Sequence, residues 1–198
     1  MKKSILKYYI LTSSIRLLPH LIILLIHRDR EIIFADIEIW AKWKSYKDNR
    51  WYNFLHLMTI HDEFRNIFYR RIGHVSCLIK WLCPQLSTLY IQTNKIGKGF
   101  RIHHGFSTII TAESIGENVS INQQVTIGHG NNGKPTIGNN VSINSGAIIV
   151  GGITIGDNCI IGAGTVVTKN IEKNCVVVGG PAYIVRKNDL RISKQELT

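Results

Sequence analysis

Ile137, Ile143, Ile149, Ile155, Ile161 and Val167 stand six residues apart without a break. The same step joins Ile115, Ile121 and Ile127, and Ile96 and Ile102 begin it. Four residues after most ladder positions comes a second small or aliphatic side chain: Val119, Val125, Val141, Ala147, Ile153, Cys159 and Thr165. An α-helix returns its apolar face every three to four residues, and a half-buried strand every two. A period of six satisfies neither. It is the signature of a β-helix, in which each hexapeptide is one short strand plus a turn and three of them close a triangular coil. Gly97, Gly116, Gly128, Gly138, Gly156 and Gly162 follow ladder positions directly and are expected to supply tight or positive-φ corners.

Residues 1–88 follow a different rule. Ile33, Ile37 and Trp40 mark one helical face; Phe54, Met58, Phe64, Phe68 and Ile72 mark another, with Arg65, Arg70 and Arg71 assigned to the wet side. The stretch from Ile10 to Ile26 is apolar, but Arg16, Pro19 and His20 interrupt it. It predicts a buried helix or helix pair instead of a membrane span or a cleaved signal peptide. A basic amphipathic face there leaves peripheral membrane contact open.

With 24 Lys and Arg against 13 Asp and Glu, a formal net charge of +11, the surface favours polyanions such as anionic lipid or phosphorylated small molecules. No nucleic-acid module accompanies that charge, so DNA or RNA is not the expected partner. The four cysteines form no CxxC pair, and Cys159 falls on the inward column. A reduced protein of the cytoplasm follows.

The ladder also locates the chemistry. Between Ile127 and Ile137 the step is ten, so residues 128–136 leave the coil as a Gly/Asn loop, a place where rigid scaffolds carry function. With three hexapeptides per coil, those opening at Ile102, Ile121, Ile143 and Ile161 stack on one face. The third residue of each forms a column: His104, Gln123, Ser145, Ala163. At ~4.8 Å per strand the column is about 14 Å long. It begins in an imidazole and ends in small residues, a groove for a long, thin ligand. His129 falls on the next face, near the same corner.

From Ile96 to Val185 the strings IGKGFRIHHG, IGENVSINQQVTIG, IGNNVSINSGAIIVGGITIGDNCIIGAGTVVTKNI and GGPAYIV resemble the hexapeptide-repeat acyltransferases, most of all their serine acetyltransferase branch. LLPH, FADIEIW and FRNIFYRR resemble that branch's N-terminal domain. The resemblance implies an α+β architecture: a helical domain over 1–88, a left-handed parallel β-helix over 89–185, and a tail over 186–198. It implies acetyl-CoA as co-substrate, no metal, and a homotrimer or a pair of trimers.

His104 matches the general base that takes a proton from an acceptor hydroxyl, which then attacks the thioester directly. Ser145 and Ala163 match contacts to CoA. The amides near Gly128 and Gly146 are expected donors to the pantetheine or the oxyanion, and Lys169 and Arg186 are expected partners for phosphates.

Two departures bear on the acceptor. Where serine acetyltransferases carry aspartates that hold the ammonium group of serine, this chain has His103 and Leu89. That pattern is closer to the colanic-acid and capsule-type relatives, so a sugar hydroxyl is the expected acceptor and serine the alternative. His103 and His129 are then the substrate-contacting candidates, and Glu113 a candidate orienter of His104. A metal site built from the histidines, and a non-catalytic β-helix scaffold, are the competing readings from other classes.

Overall fold

A computed structural model describes residues 3–46 and 49–197, and the chain divides into two compact units, Met1–Leu86 and Ser87–Thr198. The first unit is helical: α1 (Lys3–Ile26), α2 (Arg30–Trp43), α3 (Arg50–Ile60) and α4 (Asp62–Ile72), followed by a 3₁₀ turn over Gly73–Leu78. The α3 helix starts where the Asn49 side chain accepts the Tyr52 N–H at 2.9 Å, filling one of the orphan donors of a first turn. The apolar faces read from the sequence meet in an aromatic core. Trp40 packs edge-on against Phe64, with ring centroids 5.6 Å apart, and Phe54 against Phe68 at 5.3 Å.

The wet face assigned to α4 is wet only in part. Arg65 is buried; its guanidinium donates to the carbonyls of Pro84 at 2.6 Å and Met58 at 2.8 Å, and pairs with Asp62. Arg71 donates through Nε and Nη2 to both carboxylate oxygens of buried Asp36, at 2.9 and 3.2 Å. Five planar donors let a guanidinium enter a core when each finds an oxygen, and helical periodicity carries no sign of such partners.

His20 is buried too. The Tyr69 hydroxyl spends its proton on the Cys83 carbonyl at 2.7 Å, so its oxygen must accept from His20 Nε2–H at 2.9 Å. Burial, helped by the nearby Arg16 and Arg65 charges, lowers the His20 pKa from 6.5 to about 4. The folded pKa is therefore depressed. The unfolded chain takes up a proton below pH 6.5 that the folded chain refuses until about pH 4. Stability of this unit is expected to fall through that window, by up to ~3 kcal/mol at its acid end. In His20→Gln, which keeps a donor for Tyr69, chemical denaturation at pH 7 and pH 4.5 should show most of that difference gone.

The second unit is the expected left-handed parallel β-helix, of about five turns. One sheet, A, stacks β1 (Leu89–Ile91), β4 (Thr108–Ile110), β7 (Thr126–Gly128), β10 (Ile148–Val150) and β13 (Val166–Val167). Sheet B stacks β2 (Lys95–Ile96), β5 (Ser114–Ile115), β8 (Thr136–Ile137) and β11 (Thr154–Ile155). Sheet C stacks β3 (Arg101–Ile102), β6 (Ser120–Ile121), β9 (Ser142–Ile143), β12 (Ile160–Ile161) and β14 (Cys175–Val178). Beyond β14, the antiparallel strands β15 (Tyr183–Lys187) and β16 (Leu190–Glu196) extend sheet C, so most of the stretch expected as a tail is paired strand.

Ladder residues from Ile102 to Val167 point inward and are buried, as is the second column from Val119 to Thr165. The glycines have a different role from the one expected. None of the six has positive φ. A Cβ on Gly97 would sit 2.5 Å from the Gly116 backbone, one on Gly116 2.6 Å from the Gly138 carbonyl, and one on Gly156 2.5 Å from the Lys173 amide. On the B–C corner, glycine is required because successive coils touch backbone to backbone.

Above Gly99 (φ 74°), the positive-φ positions of that corner are asparagine, and the turn between β15 and β16 adds one more. Asn118, Asn140, Asn158, Asn174 and Asn188 have φ between 49° and 59°. They form a ladder in which each Nδ2 donates to the next Oδ1, at 3.2, 3.1, 2.9 and 3.2 Å. Asparagine visits the left-handed region at low cost, and its amide both donates and accepts, so it can repeat without a partner of another kind. Asn140→Val would remove two rungs and put a β-branched residue at φ 54°. The expected loss is about 2–4 kcal/mol in denaturant titration, with Asn140→Gly losing clearly less.

Candidate functional site

The coil register places the expected column. Ile102, Ile121, Ile143 and Ile161 are successive in-register partners in sheet C, followed by Val177. His104, Gln123, Ser145 and Ala163 therefore share the C–A corner, and Gly179 occupies the fifth position. Sequence reasoning missed Gly179 because the chain leaves the six-residue step before it.

At the base of the column the corner is wider. Ile102 to Ile110 spans eight residues, where the same corner spans six from Ile121 to Ile127. The extra residues form a bulge through Gly105, Phe106 and Ser107. It is pinned to the next coil, because the Phe106 carbonyl accepts the Gln124 N–H at 3.0 Å and the Thr108 hydroxyl at 3.1 Å. His104 sits in this bulge, exposed, with φ at 64°. A non-glycine residue in the left-handed region persists only where its surroundings hold it there. The His103 ring stacks on it, with centroids 4.0 Å apart and planes inclined by 27°. His103 thus contacts the candidate base directly, beyond the substrate-contact role expected for it.

Above the imidazole the corner shrinks. Ser145 is half-buried, and Ala163 and Gly164 are exposed. The Gly146 amide is already taken, since it donates to the Gln123 carbonyl at 3.1 Å, and the Gly164 amide donates to Ser145 at 2.9 Å. Gly146 therefore contributes to the site by shape, at φ 71°, instead of through the N–H expected of it.

Gly128 and His129 lie elsewhere. They close β7 at the A–B corner, the opposite end of that strand from Gln123, so within one chain His129 does not join the His104 column. The loop they open is folded down. Gly130 and Gly133 exchange hydrogen bonds at 2.9 and 3.2 Å, and Asn132 Oδ1 accepts the Gly152 N–H at 2.8 Å. A Cβ on Gly152 would meet the Asn132 carbonyl at 2.2 Å. The Gly151–Gly152 pair is the seat on which the loop rests.

Lys169 follows β13 at the A–B corner, and its Nζ reaches the Leu197 carbonyl at 3.0 Å. With Tyr183 and Lys194 it lines a pocket under the C-terminal hairpin. Arg186 lies on β15 opposite Val176; the segment beside the Ala163 corner is Gly179–Tyr183. Glu113 does not orient His104. It stands at the A–B corner, paired with Lys95 at 3.3 Å. Glu117 and Glu172 pair with Lys98 and Lys187 at the B–C corner, so these carboxylates all lie away from the His104 corner. Among the described residues, no group of three or more His, Cys, Asp or Glu is placed to hold a metal ion.

Comparison with known proteins agrees with this architecture. Residues 134–169 match the family model described as bacterial transferase hexapeptide (six repeats). A serine acetyltransferase of Staphylococcus aureus strain Mu50 is 42% identical over 107 residues, which cover 50% of this chain and 49% of that protein. The chain thus spans about half the length of the curated relatives it matches. The crystal structure of Neisseria gonorrhoeae serine acetyltransferase superposes with a TM-score of 0.66 at 26% identity, covering 82% of this chain and 66% of that one. A serine acetyltransferase in complex with CoA superposes with a TM-score of 0.62 at 26% identity, covering 78% and 68%.

These findings correct two expectations. Neither the sugar acceptor nor the likeness to colanic-acid and capsule-type enzymes holds, because the relatives are named serine acetyltransferases. Two carboxylates facing the ammonium group are one way among several to hold an amino acid. Serine also offers a carboxylate, and a chain of net charge +11 has cations to meet it. The loop geometry is testable by itself. Gly152→Ala should dislodge Asn132 and expose residues 128–135 to limited proteolysis at a rate at least ~10-fold above that of the parent, while sheet content by circular dichroism stays unchanged.

Proposed function

We propose that the protein is an acetyl-CoA-dependent serine O-acetyltransferase working by direct transfer at the C–A corner. The observation that carries the reading is the register of sheet C, which sets His104 at the foot of a corner lined by Ser145, Ala163 and Gly179. The names of the relatives and the CoA complex of a structural neighbour support the donor and the acceptor.

In this mechanism the neutral His104 imidazole accepts the proton of the serine hydroxyl as its oxygen attacks the acetyl carbonyl. The tetrahedral adduct collapses with loss of the CoA thiolate, which takes up the proton from the imidazolium. The thioester is already activated, so no covalent acyl-enzyme is needed. His103, stacked on His104, restrains the ring plane during the transfer. The donor lies along the small-residue column, with its anionic end toward the Lys169 and Lys194 pocket.

The assembly we propose is a trimer. Tyr90, Ile109, Thr126, Ile148 and Val166 are in-register neighbours along sheet A. All but Thr126 are exposed, leaving an apolar ribbon beside the corner that a second copy would cover. A neighbouring subunit packed there supplies the second wall of the groove and brings a His129 loop toward His104.

Without a carboxylate at positions 89 and 103, the serine ammonium lacks charge-assisted bonds worth ~1.5–3 kcal/mol each. Serine is therefore expected to saturate the enzyme at a KM about 10- to 100-fold above what one such bond would permit. Thiol release from acetyl-CoA in the presence of serine, with the acetylated product identified by mass, tests the reading. His104→Ala should lose ~10²–10⁴ in kcat with CoA binding intact, and Ala163→Trp should lose CoA binding. An absence of serine-dependent thiol release, or parental turnover in His104→Ala, would overturn it.

A further inference from the structure

The α1 helix is apolar on two opposite sides, and only one of them is used. Ile10, Leu17, His20 and Leu24 face the core of the helical unit and are buried. Tyr8, Ile15, Leu18, Ile22, Leu25 and Ile26 are exposed, Ile15 at 75% and Ile26 at 77%. At 3.6 residues per turn these six fall within an arc of about 100°, centred about 150° round the helix from the buried set; exposed Tyr9 falls outside that arc. The sequence predicts burial for this whole stretch; the structure covers half of it. A helix that is apolar all round is stable in water only when both sides are covered.

Charge indicates what covers the second side. Residues 1–28 contain five cations, Lys2, Lys3, Lys7, Arg16 and Arg28, and no Asp or Glu. Lys2 lies outside the described residues and, like Lys3 and Lys7, enters by charge alone; Arg16 lies beside buried His20, and Arg28 pairs with Asp29 at 3.5 Å. A second α1 laid parallel to this one along the stripe would bring the N-terminal lysines of the two copies together. A surface of anionic headgroups over acyl chains complements both features, taking the stripe into its apolar boundary and the N-terminal lysines into its phosphate layer. Tyr8, at one end of the stripe, has the amphipathic ring favoured at that boundary. Among the described residues no helix is long and apolar enough to cross a membrane, so such contact is made by lying on the surface.

We propose that the exposed face of α1 is a docking surface for anionic lipid bilayers, which holds the protein peripherally at a membrane. The surface is independent of the proposed acyl transfer, so neither reading falls with the other.

Flotation of the full chain with vesicles tests it. Vesicles of phosphatidylcholine containing phosphatidylglycerol should carry the protein, and phosphatidylcholine alone should carry much less. Added salt should release part of the bound fraction. The double substitution Ile15→Glu, Ile22→Glu should reduce partitioning on the order of 100-fold or more, with helical content and solution mass by light scattering unchanged. No flotation with the anionic vesicles overturns the proposal. A double variant that floats like the parent, or whose solution mass falls to a smaller assembly, overturns it as well, the latter by assigning the stripe to a second copy of the chain.

Discussion

Every functional feature of the β-helix unit depends on coils that stack in register at the spacing of backbone hydrogen bonds, ~4.8 Å. That spacing leaves no room for a side chain at the B–C corner, where the Gly97, Gly116, Gly138 and Gly156 backbones abut, and it puts identical amides within bonding distance in the asparagine ladder. Once this corner is locked, the C–A corner inherits its register. His104 then stands on a pinned bulge over small residues, instead of on a mobile loop. A general base, the role proposed for His104, must be held to within a fraction of an ångström of its proton partner, and stacked coils provide such rigidity.

The same stacking segregates charge. Glu113, Glu117 and Glu172 are drawn to the A–B and B–C corners, where lysines of the preceding coil or of β15 meet them. The His104 corner carries none of these acids. An acid-free corner on a strongly cationic chain suits a donor that carries several phosphates. It offers little to the ammonium group of an amino acid, and the asymmetry follows from the corner geometry before any acceptor is considered.

The helical unit solves a different problem. Its core accepts Asp36, Arg71, Arg65 and His20, groups that are costly to desolvate, and satisfies them with a bidentate ion pair, three carbonyls and one hydroxyl. Such networks add little net stability over apolar packing, but they penalise any arrangement in which one partner is missing. They select one packing of four short helices. The exposed stripe of α1 is a large apolar feature of this unit that such packing does not absorb.

The period of six, the inward columns and the stacking of Ile102, Ile121, Ile143 and Ile161 were legible in the chain because each inward position obeys one rule, burial, that shows in residue type. His104 was legible because the same arithmetic carries it onto the column. Tertiary structure alone decided the rest. Glycine serves close approach instead of positive φ, since only the neighbouring coil reveals the contact. Arg65 is buried and Arg71 half-buried because Pro84 and Asp36, distant in sequence, offer them oxygens. His129 belongs to another corner, and its loop is latched, because Asn132 meets Gly152 across a coil. Local sequence records which residues seek burial. It does not record which polar partner or backbone waits there, because that depends on contacts made only when distant segments stack.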